Sequence, residues 1–253
     1  TWGIDVEGVL SVPKEVSAEN ITKITSGDRH ALALTEGGKV YAWGNNNFNQ
    51  AEVPFEIESI MQLEKAVDIL AGDQYSAILS NKGRLYVWGS TFATKLNIVP
   101  AAFQGNIAKA VPSSFNILLL DKDGKVGIMG QSGTPLETAM PEYIKDGSVR
   151  LSDLVVTLRT AAAVDENGKL YVWGEDFNDL LKLPEGIEDA KIVELASGRA
   201  HFMALDDQGK LYVWGSNKFN QSKIPSALQN TKVSYISADF YQSYAVDESG
   251  KLY

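Results

Sequence analysis

The chain has 253 residues, of which 44% are hydrophobic, and a formal net charge of −9 at pH 7. This acidic balance disfavours binding to nucleic-acid phosphates, which requires clustered lysine and arginine, and no apolar run approaches the roughly 18 residues of a membrane span. Because the chain has no cysteine, disulfides, thiolate catalysis and cysteine-ligated zinc are excluded.

A six-residue phrase recurs along the chain and defines a repeat. Its intact copies are residues 39–44 (KVYAWG), 84–89 (RLYVWG), 169–174 (KLYVWG) and 210–215 (KLYVWG), with a weaker copy at 125–130 (KVGIMG). The phrase divides the chain into units 1–41, 42–86, 87–127, 128–171, 172–212 and 213–253. A period in the forties with this strand character is typical of a repeated β-unit, so the sequence predicts one domain over residues 1–253.

Each repeat is predicted to hold about four strands, as the last unit illustrates in chain order. Val213 and Trp214 end one strand, a polar loop occupies 216–221, and Ile224-Pro225 is an extended piece whose proline suits a sheet edge. Residues 233–236 alternate as a strand does, 243–246 form another strand, and 247–250 turn the chain into 251–253. The sequence therefore predicts four-stranded antiparallel sheets.

Glycine recurs at one position of the predicted hairpin turn, where a residue must tolerate positive φ. These glycines are Gly38, Gly83, Gly124, Gly168, Gly209 and Gly250. In the strand that follows, Leu211 and Val213 share one face and Tyr212 and Trp214 share the other, so both faces are apolar and covered. Six such sheets, each packed between its neighbours, predict an all-β fold, a β-propeller.

The two ends of the chain supply the halves of a sixth copy of the phrase. Joining Leu252-Tyr253 to Thr1-Trp2-Gly3 regenerates it, which predicts that the N- and C-termini meet and close the ring. The alternative is that the chain is a slice of a longer array. No signal-peptide pattern or initiator methionine occurs at the start, which favours a mature or excised form.

Two longer segments share a signature. Residues 24–34 (ITSGDRHALAL) and 195–205 (LASGRAHFMAL) follow the pattern Gly-x-x-His-x-apolar-Ala-Leu, and a Trp-Gly-x-Asn-x-x-x-Gln loop occurs at 43–50 and 214–221. The chain thereby resembles the regulator of chromosome condensation repeat family, and in repeat length it is similar to the propeller-type β-lactamase inhibitor proteins of bacteria. The resemblance implies a β-propeller, which in that family usually has seven blades.

The third and fourth units depart from the family pattern. Met129 stands in place of the tryptophan, and Asn116 and Thr160 stand in place of the histidine. Most repeats carry polar or charged residues where the inhibitor relatives have aromatic loops, so β-lactamase inhibition is not supported. Exchange-factor activity on a small GTPase is no better supported, because the basic extensions of those family members are not visible here.

The residues that could carry catalysis are few. His30 and His201 occupy equivalent repeat positions, and the resemblance implies that such a histidine ties down its loop by hydrogen bonds. Residues 121–124 (DKDG) resemble the start of a calcium loop but lack the downstream glutamate, so a solvated turn is preferred. No nucleophile elbow, phosphate loop or zinc motif occurs. We therefore predict no enzyme activity, metal or cofactor.

The loop before the Ala-Leu strand varies most between repeats. Its triplets are 28–30, 73–75, 114–116, 158–160, 199–201 and 240–242. A rigid scaffold with variable loops is typical of a binding surface, on which aromatic residues and arginine are the usual anchors. The predicted contact residues are Arg29, Tyr75, Phe115, Arg159, Arg199, Phe240 and Tyr241. The alternative for Tyr75 and Phe115 is that they fill the core of the ring.

A second set of loops, each with a phenylalanine four or five residues after the repeat tryptophan, is predicted at the opposite end of the ring. Phe48, Phe92, Phe177 and Phe219 belong to this set. They form either a second patch or, as the preferred interpretation, anchors that pack over the edge of each blade.

The function predicted from these observations is a non-catalytic propeller that binds another protein through one face. It would be an adaptor, an inhibitor or a module of a larger bacterial or phage assembly, with a lean towards a secreted or cell-surface location. No nucleic-acid partner and no membrane insertion are expected. Two alternatives stay open: a carbohydrate-active or other hydrolase or lyase with carboxylates in the channel, and a structural spacer within a larger chain.

Overall fold

The computed structural model of the chain describes residues 5, 7–92 and 94–253. Its strands form small antiparallel sheets in chain order. The first two sheets hold β1 (Ile21–Ser26), β2 (His30–Thr35) and β3 (Val40–Gly44), then β4 (Ala66–Ala71), β5 (Tyr75–Ser80) and β6 (Leu85–Gly89). The next two hold β7 (Ile107–Pro112), β8 (Asn116–Asp121) and β9 (Val126–Gly130), then β10 (Leu151–Val156), β11 (Thr160–Asp165) and β12 (Leu170–Gly174).

The last two sheets differ in their number of strands. The fifth holds β13 (Ile192–Ser197), β14 (His201–Asp206) and β15 (Leu211–Gly215), whereas the sixth holds β16 (Val233–Asp239) and β17 (Gln242–Asp247). A single antiparallel bridge, Val246 to Leu252, extends the sixth sheet. The all-β prediction is confirmed, but the prediction of four strands per sheet is wrong: within the described ranges the complete sheets have three.

Proline explains why the predicted fourth strand does not form. Ile224-Pro225 was predicted as an edge strand, but Pro225 instead precedes a 3₁₀ helix, Ser226–Leu228. The other short helices are α1 (Lys14–Ser17), α2 (Phe55–Met61), a 3₁₀ helix at Ala101–Phe103, α3 (Pro135–Thr138) and α4 (Glu142–Lys145). All but α3 follow a proline directly, and α3 begins with one. Because proline cannot donate to a ladder and its φ suits the first helical turn, the chain turns away from the sheet there.

The repeated tryptophan joins each sheet to the loop that precedes it. The indole Nε1 of Trp214 donates to the Leu180 carbonyl at 2.9 Å, and that of Trp173 donates to the Leu136 carbonyl at 3.1 Å. Trp43 and Trp88 make the same kind of bond, to Val9 and Gln50. All four indoles are buried. Met129, the exception that the sequence marked, is buried but has no N–H to donate.

The contacts of the chain group it into two compact units. Unit 1 comprises the described residues up to Lys122 together with Gly127–Gln131, and unit 2 comprises Asp123–Val126 and Ser132–Tyr253. In each unit the middle strands supply the core, with Leu32, Ile78 and Leu119 fully buried in unit 1, and Ala163 and Phe202 in unit 2. The six hairpin glycines all have positive φ, as predicted.

The predicted meeting of the two termini involves Thr1-Trp2-Gly3, which lie outside the described residues. In the part of the chain that the structure describes, no helix is both long and apolar enough to cross a membrane.

Candidate functional site

The topology of a three-stranded sheet places two loops of each repeat at the same end. In the fifth sheet, His201 at the start of β14 pairs with Gly215 at the end of β15. The tip between β13 and β14 therefore lies beside the loop that follows β15. The prediction that these two sets of loops lie at opposite ends is wrong, because the third strand of an up-down-up sheet ends where the first strand ends.

The third residue of each variable triplet begins the middle strand and is a fixed anchor rather than a variable contact. His30, Tyr75, Asn116, Thr160 and His201 are each at most 2% exposed, and only Gln242 in the sixth sheet is exposed. Only the first two residues of each triplet thus form the tip.

The two histidines connect neighbouring sheets within their units. His201 Nε2 lies 2.9 Å from Ser243 Oγ, and that hydroxyl donates to the Gln221 carbonyl at 2.7 Å. His30, Ser76 and Gln50 repeat this arrangement with the same two distances. Since the serine hydrogen is used for the glutamine carbonyl, the histidine Nε2 must be the donor to the serine oxygen. This is the loop-tying role that the family resemblance implies.

Both histidines are held neutral by burial. Burial lowers the pKa of His30 to about 4, against smaller raising effects from a hydrogen bond to the Tyr75 backbone and from the Asp28 charge. Burial likewise lowers the pKa of His201. The two histidines lie in different units and serve as separate connectors, so the structure gives neither of them the setting of a general base acting in a cleft.

Each anchoring ring lies directly against a glycine three residues earlier. A Cβ placed on Gly198 would lie 2.1 Å from His201 Cε1, and one on Gly27 would lie 2.6 Å from His30 Cε1. Gly72 and the ring of Tyr75 are related in the same way. Where the anchor is Asn116, Thr160 or Gln242, the earlier position is not glycine. Glycine is thus required only where a ring is packed on the backbone.

Tyr75 is the third anchor and does not line an accessible surface. It is 1% exposed, and its hydroxyl donates to the Ser113 carbonyl at 2.8 Å, which links the second sheet to the third. Burial raises the pKa of the Tyr75 phenol. Of the two roles that the sequence left open for Tyr75, the structure places it in the core, so we exclude it from the candidate surface.

The other two predicted contact residues of unit 1 are exposed but do not contact each other. Arg29 pairs with Glu7 at 3.1 Å and with Asp28 at 3.4 Å. Phe115 is 49% exposed, and its carbonyl accepts a hydrogen bond from the Gln131 N–H. Neither residue has a described aromatic neighbour in ring contact.

The four predicted contact residues of unit 2, by contrast, lie on adjoining tips. The Leu158 N–H donates to the Arg199 carbonyl at 3.4 Å, and the Arg199 N–H donates to the Phe240 carbonyl at 3.0 Å. The Arg199 guanidinium lies over the Phe240 ring, 4.7 Å from its centroid. Arg159, on the same tip as Leu158, pairs with Glu175 at 3.0 Å.

An aromatic cluster continues this surface. Phe240 and Tyr241 meet edge to face with centroids 5.2 Å apart, and Tyr241 contacts Phe219 at 4.9 Å. The sequence assigned Phe219 to the other end of the molecule, although the two antiparallel strands between the tip and this loop return the chain to the same end. Buried Gln221 fixes its position, because Gln221 Oε1 accepts a hydrogen bond from the Phe219 N–H at 2.8 Å. We call Arg159, Arg199, Phe219, Phe240 and Tyr241 the aromatic–arginine surface.

A groove opens beside this surface, between the loops of the fourth and fifth sheets. It has a volume of about 230 Å³ and is lined by Leu158, Arg159, Glu175, Phe177, Leu180 and Arg199 among others. Leu180 is buried at its base, while Phe177 is 54% exposed. The groove thus has an apolar wall and two cationic side chains.

Carboxylates occur in two structural settings. In the hairpin turns, Asp206 Oδ1 accepts the N–H groups of Gln208 and Lys210, and Asp206 Oδ2 accepts the Tyr212 hydroxyl, so this carboxylate serves the turn. On the first strands of unit 2, burial raises the pKa of Glu194, and the charge of Asp153 adds to that effect. Among the described residues, no group of three or more potential metal ligands is gathered.

The comparisons with known proteins match the repeat. Residues 21–50 and 192–221, which run from β1 and β13 to the glutamines of the loop motif, match the family model of the regulator of chromosome condensation (RCC1) repeat. Protein pim1 of Schizosaccharomyces pombe is 26% identical over 209 residues, a match that covers 74% of this chain and 33% of pim1. The chain therefore spans about a third of that relative.

Solved structures share the fold. Prp20p of Saccharomyces cerevisiae, described with its binding properties to Gsp1p and histones, has a TM-score of 0.73 at 21% identity, covering 95% of this chain and 72% of Prp20p. The ectodomain of the receptor kinase CR4 of Physcomitrella patens has a TM-score of 0.71 at 20% identity, covering 100% and 64%. The resemblance to the RCC1 repeat family that the motifs predicted is thus confirmed, and the chain is similar in fold to RCC1 β-propellers.

Proposed function

We propose that this protein is a non-catalytic binding propeller that holds a protein partner on the aromatic–arginine surface of unit 2. The observation that carries the proposal is the contact series from Arg199 through Phe240 and Tyr241 to Phe219. These residues come from the tips of two adjacent sheets and from the loop after β15, yet they are neighbours in space. Aromatic side chains and arginine are the residues that most often dominate the energy of protein interfaces.

The surface is suited to binding because its residues are held in place. Ring contacts and a cation–π contact fix the side chains, while hydrogen bonds between tips fix the backbone. Phe240 and Tyr241 remain 41% and 45% exposed. Ordered but accessible aromatic groups lose little conformational entropy on binding, which favours affinity.

The solved relatives are consistent with a protein partner. Yeast RCC1 (Prp20) has been solved with Kap60, and Prp20p is described by its binding to Gsp1p and histones. These partners belong to Prp20, and for this chain we propose only the class of partner, another protein. An adaptor, an inhibitor and a module of a larger chain would all use the surface in the same way. The comparisons give no support to the bacterial, phage, secreted or cell-surface setting.

The same proposal includes the arrangement of the repeats. We propose that the six repeats over residues 1–253 form one propeller domain. The likeness in fold to RCC1 propellers supports a ring, since a propeller removes open sheet edges by radial closure.

Photo-crosslinking tests the partner surface with a matched control. Benzoylphenylalanine replaces Tyr241, or replaces Tyr143 in α4, which is equally exposed at 46% but lies outside the surface. In cells that produce the full chain, we expect discrete protein adducts from position 241 that disappear with Phe240→Ala, and no such adducts from position 143. If both positions give equal adducts, or if Phe240→Ala does not change the adducts, the aromatic–arginine surface is not the binding site for the partner.

A further inference from the structure

The groove beside the aromatic–arginine surface has polar walls whose hydrogen bonds are already made. Thr160 Oγ1 donates to the Glu175 carbonyl at 2.6 Å, and Thr157 Oγ1 donates to the Thr160 carbonyl at 3.1 Å. These hydroxyls therefore do not need a hydrogen bond from a ligand. What the groove offers instead is an apolar wall formed by Leu158, Phe177 and Leu180.

The charges that line the groove do not balance. Arg159 and Arg199 are cationic, and Glu175 is the carboxylate among the lining residues. Glu175 is 3.0 Å from Arg159 Nη1, so it is already paired. Arg199 makes no ion pair with any residue that the structure describes, and its guanidinium lies over Phe240. A groove with one spare positive charge is complementary to one negative charge.

The position of Arg199 favours a planar anion. The Arg199 guanidinium carbon lies 4.7 Å from the centroid of the Phe240 ring, and no described residue pairs with the N–H donors on the edge of the planar guanidinium, so that this edge can bind a ligand. That edge matches the two oxygens of a carboxylate. Because the stacked side chain is already ordered, less conformational entropy is lost when it binds.

Neighbouring charges argue against a polyanion. Asp176 and Asp179 are exposed on the loop after β12, which carries Phe177 and Leu180 of the groove, Asp239 is exposed next to Phe240, and the whole chain carries a net charge of −9. A ligand with many phosphates would meet these carboxylates, whereas one isolated carboxylate would not. Nucleic acid and phosphoinositide surfaces are therefore disfavoured relative to a peptide with a single acidic side chain.

We infer that the groove of unit 2 binds an extended partner segment in which one aspartate or glutamate is flanked by apolar residues. The acidic side chain pairs with Arg199, and the apolar neighbour packs against Leu158, Phe177 and Leu180. This inference rests on the proposed function, because it assigns the chemistry of the partner segment held beside the aromatic–arginine surface.

Synthetic peptides test the inference on the isolated full chain. The probe is a fluorescein-labelled, C-terminally amidated glycine–serine peptide with a central leucine–glutamate–leucine, and its counterpart has glutamine in place of glutamate. We expect the glutamate peptide to bind with a Kd of roughly 0.1–1 mM and the glutamine peptide to bind at least about tenfold more weakly. The amide NMR signals of Leu158 and Arg199 should shift on titration.

Three variants sharpen the test. Arg199→Gln should weaken binding of the glutamate peptide by about tenfold, while Arg150→Gln should leave it unchanged. Arg150 is exposed in the same unit but donates to the Asp123 carbonyl near the hairpin turns. Glu175→Gln, which removes the paired carboxylate, should strengthen binding by about threefold.

The outcomes separate this inference from the proposed function. If the two peptides bind within twofold of each other, or if Arg199→Gln leaves the difference intact, the inference is overturned. The same holds if a peptide with a free C-terminal carboxylate and no acidic side chain binds better. Adducts at position 241 that persist in Arg199→Gln would then leave the proposed function standing, whereas their absence in the unmodified protein would remove it.

Discussion

His30 and His201 show how a side chain that often takes part in catalysis can serve structure alone. Each is fully buried, donates from Nε2 to a serine of the next sheet and packs against a glycine. The consequence can be measured, because a buried neutral histidine ties the stability of the fold to pH.

We predict that the protein loses stability between pH 6.5 and about 4, in part through His30. The unfolded chain binds a proton at His30 near pH 6.5, whereas the folded state, with its pKa lowered to about 4, does not. Unfolding therefore takes up a proton in this window, and the free energy of unfolding falls as the pH falls, by up to roughly 3 kcal/mol. Urea titrations at pH 7.5 and 4.5 measure the change.

His30→Gln provides the control, since glutamine keeps an N–H donor and does not titrate. The variant should be less stable at pH 7.5 but should lose less stability on acidification than the parent. The same pH dependence in both proteins would contradict the assignment of His30 as a buried neutral group.

The role of a single residue was predictable from sequence where the backbone conformation requires that residue type. It was not predictable where the burial of one residue depends on a second residue that packs against it. The hairpin glycines are required by positive φ and were identified. Tyr75 and Phe115 were left undecided between core and surface. The deciding signal was Gly72, which stands before Tyr75 as Gly27 stands before His30 and leaves room for a ring. Phe115 lies one position earlier in its triplet, at the exposed tip.

At the scale of the element, the middle strand of each sheet was the most predictable part. The stretches 243–246 and 233–236 lie within β17 and β16, because apolar alternation and turn glycines act locally. The fourth strand failed because the candidate segments contain a proline that is followed by a short helix, as at Pro54, Pro141 and Pro225, or by a turn, as at Pro184. The placement of Phe177 and Phe219 at the wrong end was a separate error, because two antiparallel strands lie between the tip and the loop after the tryptophan and return the chain to the same end of the sheet.

The tryptophan of the repeat phrase is predicted to stabilise the loop that precedes its sheet. Trp214→Phe removes the N–H that donates to the Leu180 carbonyl and leaves that carbonyl without its partner in a buried site. We expect a loss of about 1–3 kcal/mol in the free energy of unfolding. Amide hydrogen exchange should also become faster over residues 176–184, the loop that Trp214 holds beside the groove.

Met129→Leu is the matched control, because Met129 occupies the equivalent position in the third sheet without donating a hydrogen bond. It should cost less than about 1.5 kcal/mol, as expected of a conservative core change. A loss for Trp214→Phe no greater than that for Met129→Leu would show that the indole N–H contributes little.

At the scale of the whole molecule, the repeat phrase was sufficient to indicate the family of folds, whereas the partner surface needed coordinates. The phrase is local and recurs, so it survives in sequence. The aromatic–arginine surface depends on four separate segments of the chain, the tips at Arg159, at Arg199 and at Phe240-Tyr241 and the loop at Phe219, and no local pattern records that they adjoin.

The proposed arrangement of the six repeats in one propeller domain predicts a compact particle in solution. A single globular domain of 253 residues has an expected radius of gyration of about 18 Å. Small-angle X-ray scattering of the monomer should give that value. A radius above about 22 Å would indicate an open array and would contradict the proposed ring.

The pairing of ring and glycine also constrains how such repeats drift apart. If Gly198 is replaced first, any new side chain collides with the His201 imidazole at 2.1 Å. If the imidazole is replaced first, it leaves only an unfilled space that neighbours can partly close. Ancestors of the third and fourth repeats are therefore expected to have lost the ring before the glycine. A related repeat that keeps the glycine but has a small residue in place of the ring would represent that intermediate step.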